Sequence, residues 1–331
     1  MSSVLVTGGM GVIGSWVTRQ LVEQGTKVVT YQRSRQTLLL KDIMDKFEAV
    51  PGDVLDLPRL IETMKKYQVD RVIHMAGLVT APLEANPFLG YKINVDGAMN
   101  IFEACRLTDV KRVVAISTKG VYDKIQGGYA HPTYKPVDED YPKAPTRVYG
   151  ATKLFIEHMG LSYNRIYGLD VMVLRFASTY GPRKQSRGAT MGDTSPTAHA
   201  VHSQIIESAM LSRPLRIAQG ADQFDDMVYH RDIASGIVRA CFVAKTEHRI
   251  FNIGTGKKES LVHLVEILNN IFGKVPIEIG PGLGGPGTTH CILNIDRARR
   301  ELGYAPQYDL EAGVRDYIDT MKRLDIKPVV L

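Results

Sequence analysis

Tyr149 and Lys153 stand four residues apart in Tyr149-Gly150-Ala151-Thr152-Lys153, a segment that reads as the start of a helix. That spacing puts both side chains on one face, about one turn apart. A phenol with a pKa of about 10 is a poor base at neutral pH, but an ammonium fixed beside it favours the phenolate. Lowering the phenol by about three units takes about 4 kcal/mol of differential stabilisation. Lysine and the positive charge of an oxidised nicotinamide could supply it together. Thr118 follows an apolar run that ends at Ser117. A hydroxyl at a strand's carboxyl end can hydrogen-bond a substrate oxygen and polarise a carbonyl. Alone, a Ser-Thr pair is equally a strand cap; with Tyr149 and Lys153 it points to proton and hydride transfer at a secondary alcohol or ketone.

The segment Thr7-Gly8-Gly9-Met10-Gly11-Val12-Ile13-Gly14 lies between an apolar run and a helical stretch. Gly9, Gly11 and Gly14 have the spacing in which one glycine makes the tight turn, one lets backbone approach a pyrophosphate, and one allows close helix–sheet packing. The helix N-terminus then offers N–H groups to the anion. An acid after the second strand would favour NAD, and a basic residue NADP. Here Thr30-Tyr31-Gln32-Arg33-Ser34-Arg35 has no acid. Arg33 and Ser34 are therefore expected to meet a 2′-phosphate, and NADP is the expected cofactor, with NAD as the alternative.

These residues need a scaffold. Strands are expected at Val4–Thr7, Lys27–Tyr31, Phe47–Val50, Arg71–Met75, Lys111–Ser117 and Val171–Phe176. Helices are expected at Val12–Glu23, Leu57–Tyr67, Phe88–Leu107 and Arg147–Tyr167. Alternating strands and helices predict an α/β fold with a doubly wound parallel Rossmann sheet. The second half is rich in loops, with helices expected at His199–Leu211, Asp232–Ala244, Leu261–Phe272, Asp296–Leu302 and Leu310–Met321. The expected division is a dinucleotide-binding domain of residues 1–177 plus about 226–255. Residues 178–225 and 256–331 then form a smaller, interleaved substrate-binding domain.

Composition narrows the class. The chain has 331 residues, 44% apolar and 23% charged, with a net charge of +6 spread along its length. That balance does not indicate a nucleic-acid partner. The three cysteines, Cys105, Cys241 and Cys291, are too few and too far apart for a disulfide framework or a zinc ribbon. No metal site is expected; His199 and His202 share a helix face, but no carboxylate has matching spacing. No apolar run reaches the length of a membrane span. A cytoplasmic protein without a membrane partner is expected.

Taken together, the motifs resemble the extended short-chain dehydrogenases/reductases, also called the NAD-dependent epimerase/dehydratase family. The resemblance rests on the turn at 7–14, Gly52-Asp53, His74-Met75-Ala76-Gly77, Asn94, Ser117-Thr118 with Val121-Tyr122, and Tyr149 with Lys153. It continues through Leu174-Arg175, Tyr180-Gly181-Pro182, Asp226 to Asp232, and Asn252-Ile253-Gly254-Thr255-Gly256. It implies that Thr118, Tyr149 and Lys153 are catalytic, with Tyr149 the acid/base and Lys153 on the nicotinamide ribose. It implies cofactor contacts from Gly8, Gly11, Val12, Ile13, Arg33, Ser34, Asp53, Val54, Ala76, Gly77, Asn94, Ser117 and Phe176. It implies substrate contacts from Thr80, Thr118, Val121, Tyr122, Ser178, Arg183 and Arg187. Asn94 would support the active-site helix; a helix N-cap or a buried amide is the plain alternative. A homodimer is implied as well, with Ile101, Phe102, Phe155, Met159 and Ile166 on the pairing helices.

Departures from the family pattern bear on the substrate. Lys119 and Gly120 stand where dehydratases carry an acidic pair, which argues against dehydration. Ser178 and Asp225 stand where sugar-nucleotide epimerases carry an Asn and an Arg on the diphosphate. Asp225, with Asp222 and Asp226 nearby, would repel a diphosphate, although Arg183, Lys184 and Arg187 offer a relocated anion site. The expected activity is therefore NAD(P)-dependent oxidation or reduction of a small polar, carbohydrate-like or sugar-acid substrate. The alternative is a sugar or nucleotide-sugar epimerase working through a transient ketone. A catalytically silent dinucleotide-binding module is the least favoured reading.

Overall fold

The computed structural model describes residues 2–34, 37–183, 201–284 and 289–329. Six strands are reached in the first half: β1 (Ser3–Thr7), β2 (Lys27–Gln32), β3 (Glu48–Pro51), β4 (Arg71–His74), β5 (Arg112–Thr118) and β6 (Asp170–Phe176). Short strands β7 (Ser178–Tyr180), β8 (Leu215–Ile217), β9 (Phe224–Asp225) and β10 (Met227–Tyr229) follow, and then β11 (Ile250–Ile253). β11 joins the first six in one parallel sheet of order β11-β6-β5-β4-β1-β2-β3. This is the doubly wound Rossmann-type arrangement.

Strand side chains alternate between two cores, as a period of two requires. Val4, Val6, Ile73, Val114, Ile116, Met172 and Leu174 pack on one face, against Trp16, Val17, Leu21, Ile233 and Ile237. Leu5, Val29, Val72, Val113, Ala115, Val171 and Val173 pack on the other, against Leu60, Met64, Ile101, Phe102, Ile156 and Tyr163. Burial on both faces explains why these strands read as continuous apolar runs.

The helices of the first half are α1 (Gly14–Glu23), α2 (Leu57–Lys66), α3 (Thr80–Ala85), α4 (Pro87–Tyr91), α5 (Gly97–Leu107) and α6 (Val148–Tyr167). The Asp56 carboxylate caps α2 by accepting from the Arg59 amide, and α6 stops at Gly168, whose φ is +70°. The second half adds α7 (Val201–Met210), α8 (His230–Phe242), α9 (Leu261–Phe272), α10 (Asp296–Leu302) and α11 (Leu310–Arg323).

Two differences from expectation matter for the site. The long helix expected over Phe88–Leu107 is interrupted by a π turn at Lys92–Asp96. One extra residue per turn there aims Asn94 inward, where it accepts from the Leu78 amide and donates to the Leu78 carbonyl. Asn94 is thus a buried amide and not a helix cap. The short helix α3 was not expected at all. Ile101 and Phe102, expected on a pairing face, lie fully in the core, whereas Phe155 and Ile166 are exposed. No helix among the described residues is long and apolar enough to cross a membrane.

Candidate active site

The sheet brings the carboxyl ends of β1, β4, β5 and β6 into line. Thr7 pairs with His74, and Thr118 with Phe176. The Thr7 hydroxyl lies 2.8 Å from His74 Nδ1 and also accepts from the Met75 and Ala76 amides. Burial, then the charge of Lys153, pushes the His74 imidazole down to about 3, so it stays neutral. The loop leading to Ala76 and Gly77 is fixed by this one hydroxyl.

The glycine turn abuts that loop. Gly8 has φ of +70°, and a Cβ on it would lie 3.2 Å from the Ala76 nitrogen. A Cβ on Gly14 would lie 2.1 Å from the Gly8 carbonyl oxygen. The Gly8 and Gly9 amides bond to β2 and β1 and those of Gly11 and Ser15 within the turn, leaving those of Met10, Val12, Ile13 and Gly14 without a partner among the described residues. Free amides at a helix N-terminus, approached over glycine backbone, fit a dinucleotide pyrophosphate. Arg33 and Ser34 are exposed at the end of β2, and Arg33 lies 3.9 Å from Asp53. Asp53 caps the Leu55 amide, and Val54 is buried against Gly97.

On the catalytic side, the Tyr149 amide donates to Glu84 of α3 at 3.3 Å, an anion at an N-terminus that has no side-chain cap of its own. A Cβ on Gly150 would come within 2.5 Å of the Gly120 carbonyl oxygen. That close approach seats α6 directly on the segment after Thr118. Lys153 Nζ lies 5.8 Å from the centre of the Tyr149 ring. Burial pushes the Tyr149 phenol up to about 12. Burial also brings the Lys153 ammonium down to about 8, against the pull of the Glu157 carboxylate one turn on. Thr118 ends β5 half-buried, its Oγ1 accepting from the Gly120 amide at 3.1 Å.

Several residues expected at the site are engaged within the protein itself. The Ser117 hydroxyl donates to Glu157 at 2.5 Å. Glu157 takes Arg175 through two bonds, at 2.9 and 2.5 Å. Arg175 also donates to the Tyr122 hydroxyl, which donates in turn to Asn252. Tyr122 and Val121 are fully buried. Phe176 is nearly buried at its strand end. Arg183, at φ of +68°, interacts with Glu207 of α7 and Tyr317 of α11. Thr80 begins α3. Arg187 lies outside the described residues, as do Lys184 and His199.

The acids of the 220s are not the bare repulsive cluster expected. Asp225 forms a buried ion pair with Lys119 and accepts from the Ser178 hydroxyl at 2.6 Å. Burial opposes the Asp225 charge, but Lys119 and His290 outweigh it and hold the carboxyl far below its usual range. Asp226 accepts from the amides of Thr255 and Gly256, and Asp222 from that of Gly282. Lys119 thus links the catalytic strand to β9, a contact across 106 positions with no signature in local spacing. Glu157, by contrast, continues the Tyr149 and Lys153 face at the same four-residue step and was readable from it.

A sequence model of the NAD dependent epimerase/dehydratase family matches residues 4–254. A putative UDP-glucose 4-epimerase of Methanocaldococcus jannaschii is 31% identical over 320 residues, covering 96% of this chain and 98% of that one. The crystal structure of a Thermotoga maritima UDP-glucose 4-epimerase with UDP-glucose superposes with a TM-score of 0.83 at 25% identity, covering 97% and 99% of the two chains. A Brucella ovis UDP-glucose 4-epimerase in complex with NAD gives 0.77 at 28% identity, covering 95% and 97%. Of the two hydride-transfer readings drawn from the sequence, these relatives favour epimerisation over net oxidation or reduction.

Proposed function

The chain belongs to the NAD-dependent epimerase/dehydratase family, and from that premise we propose that it is an epimerase. It would invert a secondary alcohol of a sugar through a transient ketone. The observation that carries this reading is the desolvated Tyr149 and Lys153 beside Thr118, at the carboxyl ends of β5 and β6.

The turn at Gly8–Gly14 would hold the dinucleotide, which would supply the hydride acceptor and donor when bound. Thr118 holds the substrate oxygen by a hydrogen bond. Tyr149 takes the hydroxyl proton as the alcohol becomes a ketone, and returns it after the ketone has presented its other face. With its phenol at about 12, Tyr149 is neutral in the free site at neutral pH, while Lys153, at about 8, is mostly charged. A further positive charge beside Lys153 is needed before the phenol becomes a base, which ties proton abstraction to cofactor occupancy. Residues 1–177 with about 226–255 would hold the cofactor, and residues 178–225 with 256–331 the sugar. Arg33 and Ser34 would meet a 2′-phosphate, making NADP the finer cofactor assignment. Exposed Phe155 and Ile166 would pair with a second copy, which light scattering tests.

Net oxidation is the second reading, and Lys119–Asp225 favours it. Epimerisation needs the ketone to be held by a remote group while it turns. Ser178, whose position carries the diphosphate contact by resemblance, is occupied by Asp225. A substrate not anchored there would release its ketone. Incubating UDP-sugars and free sugars with trace cofactor, and in a second arm with cofactor in excess, separates the readings: inverted sugar in the trace arm without reduced cofactor building up in the excess arm supports the epimerase, and steady accumulation in the excess arm overturns it. Tyr149→Phe should lower turnover about 10²- to 10⁴-fold while dinucleotide binding persists.

A further inference from the structure

A cavity of about 370 Å³ lies between α6, the loop at Glu139–Lys143 and the β11 edge of the sheet. None of Thr118, Tyr149 or Lys153 lines it. Its wall carries four basic side chains, Lys143, Arg175, Arg249 and Arg297, against three carboxylates, Glu139, Asp140 and Glu157. His158 and His248 complete its polar lining.

The carboxylates are already engaged. Glu157 binds Arg175 through both oxygens, at 2.9 and 2.5 Å. Asp140 accepts from Arg297 at 2.7 Å. Glu139 lies 3.6 Å from the same guanidinium and accepts from the Asn252 amide. Arg249 finds its partner outside the cavity, 3.4 Å away in Asp170. Lys143 is left with no hydrogen bond or ion pair among the described residues, although it is half-buried. Burial, then repulsion from Arg175, lowers its pKa, and the more distant pull of Asp140, Glu157 and Asp138 does not make up for it.

We propose that this cavity is a second ligand site, for a small oxyanion of the phosphate or carboxylate class, with Lys143 as its chief contact. Such an anion would accept charge-assisted hydrogen bonds from the ammonium. It would also balance the excess of cations on the wall. The floor of the cavity, Glu157, is one hydrogen bond from Ser117 and one helical turn from Lys153. The site therefore lies directly behind the catalytic strand and helix, yet its occupant would touch neither Tyr149 nor Thr118. The assignment does not depend on which sugar reaction the front of the sheet performs.

Calorimetric titration of the full chain with inorganic phosphate tests this, at constant ionic strength and with saturating NAD so that the glycine turn does not compete. Citrate in a second arm distinguishes a phosphate from a carboxylate preference. Saturable binding of either anion is expected, weakened about tenfold or more by Lys143→Ala and kept by Lys143→Arg. If Lys143→Ala lowers the melting temperature without anion, Lys143→Met, which retains the aliphatic stem, replaces it. No saturable binding to the wild-type chain overturns the proposal, as does an affinity in Lys143→Ala or Lys143→Met equal to that of the wild type.

Discussion

The two edges of the catalytic cleft are built from different materials. The cofactor edge is backbone: the turn at Gly8–Gly14, the Ala76 loop held by Thr7, and free amides at Val12 and Ile13. The substrate edge is side chain: a Lys119–Asp225 pair buttressed by Ser178 and His290. Backbone recognition tolerates no added atom, and its preference for an anion does not depend on any one side chain. Side-chain recognition tolerates reshaping but not the loss of one charge from a pair. The cofactor edge can therefore stay the same while the substrate edge changes what it accepts.

The contrast breaks most sharply at Gly14. A Cβ there would stand 2.1 Å from the Gly8 carbonyl oxygen and 2.9 Å from the Gly9 Cα. Both are backbone atoms, so nothing can rotate away. Gly14→Ala should cost about 3 kcal/mol or more, measured by chemical denaturation, and should abolish dinucleotide binding by calorimetry. Normal NAD or NADP affinity in this variant would mean that the turn is not the cofactor cradle.

On the substrate edge the expected behaviour is loss followed by recovery. Lys119→Met leaves Asp225 charged and buried, at a cost of about 3–5 kcal/mol in denaturation. The double variant Lys119→Met/Asp225→Leu should regain most of that stability, because two desolvated charges become two apolar side chains. A double variant as unstable as the single one would show that the pair contributes through geometry beyond its own charges.

Between the edges lies His74, whose response is to pH. Its imidazole sits at about 3 when folded, against about 6.5 in an unfolded chain. Below 6.5 the unfolded state takes up the proton and the folded state does not, so stability is full above that value and falls as the pH drops toward 3. The loss at about pH 5 should be about 2 kcal/mol. His74→Asn should flatten that part of the stability curve; an unchanged slope would place the sensitivity in other groups.

What could be read in advance follows the same division. Gly9, Gly11, Gly14, Tyr149 and Lys153 declare themselves because local spacing dictates their geometry, a tight turn or one helix face. The alternating cores were legible for the same reason, since a strand's period is local. Lys119–Asp225 was not, because chain folding alone brings those positions together, and Asp225 looked repulsive without its partner. The bonds of the Ser117 and Tyr122 hydroxyls to the buried Arg175–Glu157 pair were not legible either, because a strand end offers two directions and the pair comes from other elements. The π turn escaped because an inserted residue leaves the apolar pattern of a helix almost intact.

The smallest effect is expected at Arg33. Its side chain is 61% exposed and its partner Asp53 36% exposed, with 3.9 Å between them. An ion pair so placed contributes about 0.2–1 kcal/mol at most, so Arg33→Ala should fold as the wild type does. Its effect should fall instead on cofactor preference, since an exposed guanidinium loosely held by Asp53 can turn toward a 2′-phosphate with little to give up. In Arg33→Ala, NADP should bind more weakly and NAD about as before, measured as the ratio of the two dissociation constants. If the ratio is unchanged, the side chain at the end of β2 does not read the ribose, and cofactor choice rests with the backbone that forms the rest of this edge.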